Sequence, residues 1–161
     1  MAITRLSLDE FEQEEYHLIA IHSPLEDYRL AYFLNLQLNV NLKKSNTDLK
    51  ILNKNNEICF SKFCFEEEDL DCFWYLLQNR SSDFIDNSIT IDLFSESKPN
   101  YSKTEYLVND YKKVDYFLKI NTSSKKNYLQ EIISKINLIS NISASYEVDL
   151  EKSKSKNNLI F

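Results

Sequence analysis

The order of apolar and polar positions divides the chain into strand and helix segments. Residues 16–22, YHLIAIH, are apolar at nearly every position and predict a central strand buried on both faces. An amphipathic helix is predicted at 124–139, where isoleucines and a leucine share one stripe. Apolar or alternating runs predict further strands at 49–52, 57–65, 72–77, 89–94, 113–120 and 142–150.

A helix start follows the first strand directly. Ser23 can cap, Pro24 suits the first helical position and Glu26 completes a capping box, so a helix is predicted from here to about Gln37. Residues 34–42, LNLQLNVNL, alternate in the manner of a strand. We therefore expect the helix to give way to a short extended segment.

The order of these elements predicts an α+β fold. We expect a mostly antiparallel sheet with two principal helices on one face, and more specifically an elaborated ferredoxin-like sandwich. Residues 1–150 are expected to form a single domain, and residues 151–161 a tail with a basic spacer and an apolar end.

The chain has no glycine in 161 residues. Phosphate-binding loops, dinucleotide fingerprints and the nucleophile elbow all need glycine for tight turns or close backbone approach. None of these sites can form here in its usual shape. Turns must instead use Asn, Asp, Ser and Pro.

The net charge of the chain and its expected compartment limit which classes of molecule it can bind. The net charge of −6 makes broad nucleic-acid binding unlikely, because neutralising phosphates needs clustered Lys and Arg. No apolar run follows Arg5 as in a signal peptide, and none approaches the length of a membrane span. A cytoplasmic protein without membrane partners is expected.

The three cysteines do not have metal-site spacing. Cys59, Cys64 and Cys72 lack a close CxxC pair, and the first two point to opposite faces of one predicted strand. We interpret them as structural core residues, and we expect neither a metal nor a cofactor.

A small-ligand site is a hypothesis for the start of the first helix. Ser23 and the helix N-terminus would hold an anion, with His22 and Arg29 as further polar ligand contacts. The alternative for His22 is a hydrogen-bonded polar residue at a helix entrance.

Two stretches resemble a known family. Residues 107–120, LVNDYKKVDYFLKI, and residues 17–35, HLIAIHSPLEDYRLAYFLN, are similar to the IPExxxVDY proteins, a small Bacteroidetes-type bacterial family whose function is not known. The signature's Val-Asp-Tyr is intact as residues 114–116, whereas its Ile-Pro-Glu stands here as Val108-Asn109-Asp110. The resemblance implies no activity, and the missing proline implies a looser loop before the strand.

The signature strand has two interpretations. Asp115 and Lys119 share a face and can form an ion pair, while Tyr116 points to the apolar side and seeks a partner for its hydroxyl. The functional alternative is an interaction surface made by Asp115, Phe117 and Lys119.

The last residues suggest a second interaction element. After a lysine-rich spacer the sequence ends in Leu159, Ile160 and Phe161, which could dock on a partner with the terminal carboxylate as a handle. Alternatively, this segment folds back and covers its own sheet.

The leading functional hypothesis is a non-enzymatic protein–protein interaction module with an unknown protein partner, and a homodimer is an additional expectation. It rests on missing catalytic motifs and predicts an exposed apolar or aromatic patch. A small-ligand regulatory domain is the alternative. RNA association through Phe63 and Phe117 comes third, and an enzyme using His22, Asp115 or Tyr116 comes last.

Overall fold

The computed structural model describes residues 16–53, 56–68, 71–81, 104–122, 126–151 and 153–161. The strand predicted at 89–94 lies outside these ranges. The strands are β1 Tyr16–His22, β2 Lys43–Lys44, β3 Leu49–Asn53, β4 Asn56–Phe60, β5 Lys62–Glu67, β6 Cys72–Gln78, β7 Arg80–Ser81, β8 Glu105–Tyr106, β9 Tyr116–Asn121 and β10 Ala144–Val148. The α-helices are α1 Asp27–Leu38 and α2 Lys126–Ile136.

Six strands form an antiparallel sheet in the order β10-β1-β9-β6-β5-β2. Strand β9 lies between β1 and β6, and β1 lies between β9 and β10. Each helix-linked pair, β1 with β6 and β9 with β10, therefore encloses one strand of the other pair. This is the split β-α-β arrangement of ferredoxin-like folds, extended at one edge by β5 and β2. The predicted α+β class is confirmed.

Both helices pack on the same face of the sheet. Leu30 and Leu34 of α1 and Ile132 and Ile136 of α2 share one apolar cluster with inward-facing residues of β1, β6 and β9. Trp74 of β6 is the largest side chain fully buried there. This helical layer was predicted, and burying its apolar stripes is the main force that holds it.

The other face of the sheet is covered as well. A second cluster joins this face to the β3–β4 hairpin, to the segment between β8 and β9, and to the end of the chain. Its members are Leu18, Ala20, Leu49, Ile58, Phe60, Leu77, Leu107, Val108, Val114, Phe117, Val148, Leu150 and Leu159. Burial on both faces explains why β1 is almost continuously apolar.

Two turns use residues other than glycine in the left-handed region. Asn39 ends α1 with φ 56° and ψ 43°, and Asp71 precedes β6 with φ 46°. Asn and Asp accept this conformation at lower cost than other non-glycine residues. The glycine-free sequence solves its turns as predicted at these two places.

Two predicted boundaries differ from the structure. Helix α1 begins at Asp27 with Glu26 as its N-cap, and Glu26 makes no side-chain capping bond, so the capping box at Ser23 is wrong. The strand predicted at 57–65 is two strands interrupted at Ser61. Strand β4 turns to pair with β3, while β5 joins the main sheet.

Candidate functional site

The segment before β9, residues 107–115, folds around Asn79. The side-chain nitrogen of Asn79 donates to the carbonyls of Tyr111 at 2.9 Å and Val114 at 2.8 Å, and its side-chain oxygen accepts from the Val108 N–H at 2.9 Å. Its backbone bonds Leu107 and Asp115. Asn79 is fully buried, and its side chain satisfies the Val108 N–H and the Val114 carbonyl, which would otherwise lose these partners inside the protein. Asn79 follows the strand predicted at 72–77, and no sequence pattern indicated this role.

Asp115 joins the signature to the loop after β1. One carboxylate oxygen accepts from the Ser23 N–H at 3.0 Å, and the other lies 3.6 Å from a guanidinium nitrogen of Arg80. The predicted ion pair with Lys119 is wrong, because Asp115 precedes the strand and Lys119 bonds elsewhere. Arg80 had no signal in the sequence beyond following a strand.

Tyr116 also contacts the loop after β1. Its ring is buried among the helical core residues, and its hydroxyl donates to the Leu25 carbonyl at 2.6 Å. Burial, with the nearby carboxylates of Asp27, Asp115 and Glu26, raises the pKa of Tyr116 to about 12. The prediction that the Tyr116 hydroxyl has a hydrogen-bond partner is confirmed, and the hydroxyl stays protonated at neutral pH.

A small cavity opens beside these residues. It has a volume of about 200 Å³ and is lined by Ser23, Pro24, Leu25, Gln78, Arg80, Asp115 and Tyr116. Most small-molecule sites occupy about 300–1,000 Å³. Three contacts join its lining residues, Ser23 with Asp115, Arg80 with Asp115 and Tyr116 with Leu25, so a ligand would have to compete with them.

The predicted ligand residues are not brought together. Ser23 lines the cavity, but its hydroxyl donates to the Asn141 carbonyl and accepts from the Leu25 N–H. His22 shares a 3.1 Å hydrogen bond with the Tyr146 hydroxyl. Arg29 is exposed on α1 and does not line the cavity. Glu26 and Asp27 also stand at the helix N-terminus, where their charge disfavours an anion.

The predicted interaction surface needs correction. Phe117 and Leu159 are fully buried and Lys119 is 3% exposed, because the second layer covers the face of β9 that was expected to be open. Ile160 at 68% and Phe161 at 43% remain accessible. Asp115 is half-buried under Arg80 and Ser23.

Residues 153–161, here called the closing segment, fold back onto the sheet. Of the two alternatives for the end of the chain, the structure shows this one. A 3₁₀-helix spans Lys154–Leu159, and Leu159 enters the second core. The segment is fixed at its start by a Ser153 hydroxyl bond to Asp110 and further on by Asn158, which donates to the Leu107 carbonyl at 2.8 Å.

Lys119 is enclosed beneath the closing segment. Its amino group donates to the Leu159 carbonyl at 2.8 Å. It also lies 4.9 Å, 5.6 Å and 4.4 Å from the ring centres of Tyr16, Tyr75 and Phe161. A cation among aromatic faces is stabilised by their quadrupoles, which offsets part of the cost of burying it.

Helix α1 carries a row of large side chains on its outer side. Tyr28 and Tyr32 are each 60% exposed and Leu36 is 65% exposed. Their spacing of four places them on one line, about 12 Å long. The sequence patterns predicted the helix but not this row.

The open edge of the sheet at β10 is partly blocked. The Ser145 N–H donates to the side-chain oxygen of Asn137 at 2.9 Å, and the Asn137 amide nitrogen lies 3.4 Å from the Ser145 carbonyl. These backbone groups are therefore already paired and cannot bond a strand from another molecule.

The three cysteines lie on three different strands. Cys59 and Cys64 lie on different strands and are half-buried, while Cys72 is buried and burial raises its pKa. Within the described ranges, no three His, Cys, Asp or Glu residues are grouped as metal ligands.

The hypothesis of RNA association needs exposed aromatic rings on the strands. Phe63 and Phe117 are buried, so neither offers a ring for stacking bases.

No family model, curated protein or solved structure matches this chain. The resemblance to the IPExxxVDY family therefore stays a prediction. Among the helices that the structure describes, none has the length and apolar character needed to cross a membrane.

Proposed function

We propose that this chain is a non-enzymatic, cytoplasmic protein–protein interaction module whose contact surface is the outer row of α1. The observation that carries the proposal is the exposure of Tyr28, Tyr32 and Leu36, at 60%, 60% and 65%, on one line of a rigid helix. Large side chains that are exposed next to one another on one helix face form the kind of patch that marks an interaction site.

The chemistry of the row suits a protein partner. Tyrosine is enriched at binding hot spots because its ring gives a large contact area and its hydroxyl can remain hydrated. Together the three side chains present on the order of 300 Å² of mostly apolar surface. That is enough for the centre of a modest interface, with a polar rim around it.

Other surfaces are less suited to this role. The helices and the second layer cover the two faces of the sheet, and Asn137 blocks part of the β10 edge. Pairing through the two faces or the β10 edge of the described sheet is thus disfavoured, which favours the outer side of the helical layer.

Charge indicates the kind of partner. The chain carries a net charge of −6, and Glu26 is exposed at the N-terminal end of the row. We infer a different protein with an apolar patch flanked by Lys or Arg, because such a patch would complement both features.

The proposed cytoplasmic location rests on the cysteines. The free cysteines Cys59, Cys64 and Cys72 support a reducing compartment.

Site-specific photo-crosslinking in the native cell tests the proposal. Benzoylphenylalanine replaces Tyr32 or Leu36 in the full chain, and the matched control places it at Leu52, which is 83% exposed on the β3–β4 hairpin. We expect one protein to be crosslinked from both α1 positions and not from the control. The added substitution Tyr28→Ala should reduce this crosslink at least fivefold.

Equal crosslinking from Leu52 and from the α1 positions would contradict the proposal. Stability must be unchanged for the comparison to hold. Exposed substitutions away from special features usually change the free energy of unfolding by no more than about 0.5 kcal/mol, so this condition should be met.

A further inference from the structure

The closing segment binds the rest of the protein as a short linear peptide would. Leu159 is fully buried and Phe161 packs edge-on against Tyr75 at 5.1 Å between ring centres, while Ile160 between them is 68% exposed. Beyond the 3₁₀-helix the backbone is extended at Ile160, so Leu159 and Phe161 both contact the rest of the protein while Ile160 faces solvent, as in a short peptide bound in a groove.

The groove recognises the peptide backbone as well as its side chains. Lys119 donates to the carbonyl of Leu159, and the N–H of Asn109 donates to the hydroxyl of Ser155 at 3.3 Å. Lys62 adds a cation 5.2 Å from the ring of Phe161. The groove therefore suits a peptide with a leucine, then any residue, then an aromatic residue.

Little apolar surface of the segment is buried, although several hydrogen bonds fix it. Within the 3₁₀-helix Lys154–Leu159 only Ser155 and Leu159 are buried. Segments with little buried apolar surface open at a lower free energy than the whole fold. Opening of the segment would expose the Leu159 pocket while the sheet and helices stay folded.

The connection to the sheet can act as a hinge. Leu150 is buried two residues beyond the last strand, and the Ser153 N–H donates to its carbonyl at 2.9 Å, which closes a short turn. Straightening such a short turn directs the segment away from its own groove. Exchange of an identical element between two copies then restores every contact.

We infer that this groove is a peptide-binding site that accepts residues 153–161 of a second copy of this chain, giving a segment-exchanged dimer. The site is separate from the α1 row, and the inference does not depend on the proposed function. Its ligand chemistry is an apolar Leu-x-Phe peptide with a free backbone carbonyl for Lys119.

A fluorescent peptide with the sequence of residues 153–161 tests the site on the full chain by anisotropy. In the wild-type chain the attached segment competes at an effective concentration in the millimolar range. The variant Leu159→Ala weakens that competitor, so it should bind the peptide at least tenfold more tightly than wild type. The variant Ile160→Ala is the matched control and should bind like wild type, because Ile160 faces solvent.

A peptide carrying aspartate in place of Leu159 should not bind. If Leu159→Ala unfolds the chain, Phe161→Ala serves instead, because it removes ring contacts from a side chain that is 43% exposed. Failure of the folded variants to bind the native peptide, or equal binding of the aspartate peptide, would overturn the site.

Mass-labelled and unlabelled full chains, mixed and concentrated, test the occupant. Native mass spectrometry should show mixed dimers that disappear when excess peptide is added. Peptide binding without mixed dimers would overturn the second copy as the occupant and assign the groove to another protein's segment.

Discussion

The side-chain oxygen of Asn79 accepts a hydrogen bond from the backbone N–H of Val108 at 2.9 Å, inside the protein. Val108 stands where the resembled signature has its isoleucine. The same side chain holds the carbonyls of Tyr111 and Val114. The irregular backbone before β9 is thus fixed by one buried amide, and the proline that is absent here is not needed for this purpose.

Asn79→Ala should destabilise the protein severely. It leaves the Val108 N–H and the Val114 carbonyl buried without these partners, and each unpaired group costs about 1–3 kcal/mol. We expect a loss of about 3 kcal/mol or more in the free energy of unfolding, measured by urea denaturation. Asn109→Ala, at an exposed position in the same segment, is the control and should cost under about 0.5 kcal/mol. Similar losses from both variants would contradict this role of Asn79.

Asp115→Ala should cost more than Arg80→Ala. The first leaves the N–H of the buried Ser23 without its acceptor, at about 1–3 kcal/mol. The second removes a 3.6 Å ion pair from a half-exposed guanidinium, worth under about 1 kcal/mol. Asp115→Asn keeps an acceptor and should fall between them. Thermal denaturation of the three variants checks this order, and an equal effect of the two alanine variants would assign the role of Asp115 to its charge.

Local sequence patterns predicted β1, which is buried on both faces, and the end of α1, which depends on neighbouring residues. The apolar run of β1 reports burial on both faces, and the alternation at 34–42 marks the end of α1 near Asn39. There Asn35 bonds both the N–H and the carbonyl of Leu42 at 2.7 Å and 3.0 Å, which stabilises the turn back. All of these signals lie within nine residues.

The rest depends on partners distant in sequence. Asn79 contacts residues about 30 positions later, and Lys119 is covered by a segment 40 positions later. A lysine alternating with apolar residues is ordinarily read as solvent-facing, because charged side chains are seldom fully buried. No local pattern announces that a second layer will cover this face of β9.

Tyr116→Phe should alter the stability at alkaline pH. The pKa of Tyr116 is raised from 10.0 to about 12 by burial and nearby carboxylates. Its folded pKa lies above its unfolded pKa, so its contribution is present below pH 10 and is lost between pH 10 and 12. The wild type should therefore lose more stability over this interval than Tyr116→Phe, in urea denaturation at each pH. At neutral pH the variant should lose about 1 kcal/mol with the Leu25 hydrogen bond.

Tyr32→Phe is the control for this titration, since Tyr32 is 60% exposed. It should lose stability with pH in parallel with the wild type. A Tyr116→Phe profile parallel to that of the wild type would show that the hydroxyl does not titrate with folding.

Asn137→Ala should increase self-association. The substitution frees the N–H and carbonyl of Ser145 at the sheet edge, where they can pair with a strand of another molecule. Sedimentation velocity over a concentration series should show a larger fraction of dimers or higher species than the wild type shows at the same concentration. Gln130→Ala, on the exposed surface of α2, is the control and should sediment as the wild type does. Unchanged sedimentation of a folded Asn137→Ala would show that the amide does not protect this edge.

Lys119→Met should loosen the closing segment without unfolding the protein. Methionine fills a similar volume, and replacing a buried charge by an apolar side chain is often neutral for global stability. The hydrogen bond to the Leu159 carbonyl is lost, and such a charged donor contributes about 1.5–3 kcal/mol. Amide hydrogen exchange in residues 157–161 should therefore accelerate at least tenfold, while exchange in β1 and β9 stays within about twofold. Lys62→Met is the matched control, because it removes only a contact with the Phe161 ring. Unchanged exchange in the closing segment, or acceleration spread evenly over the whole chain, would show that Lys119 does not hold this segment as a separate unit.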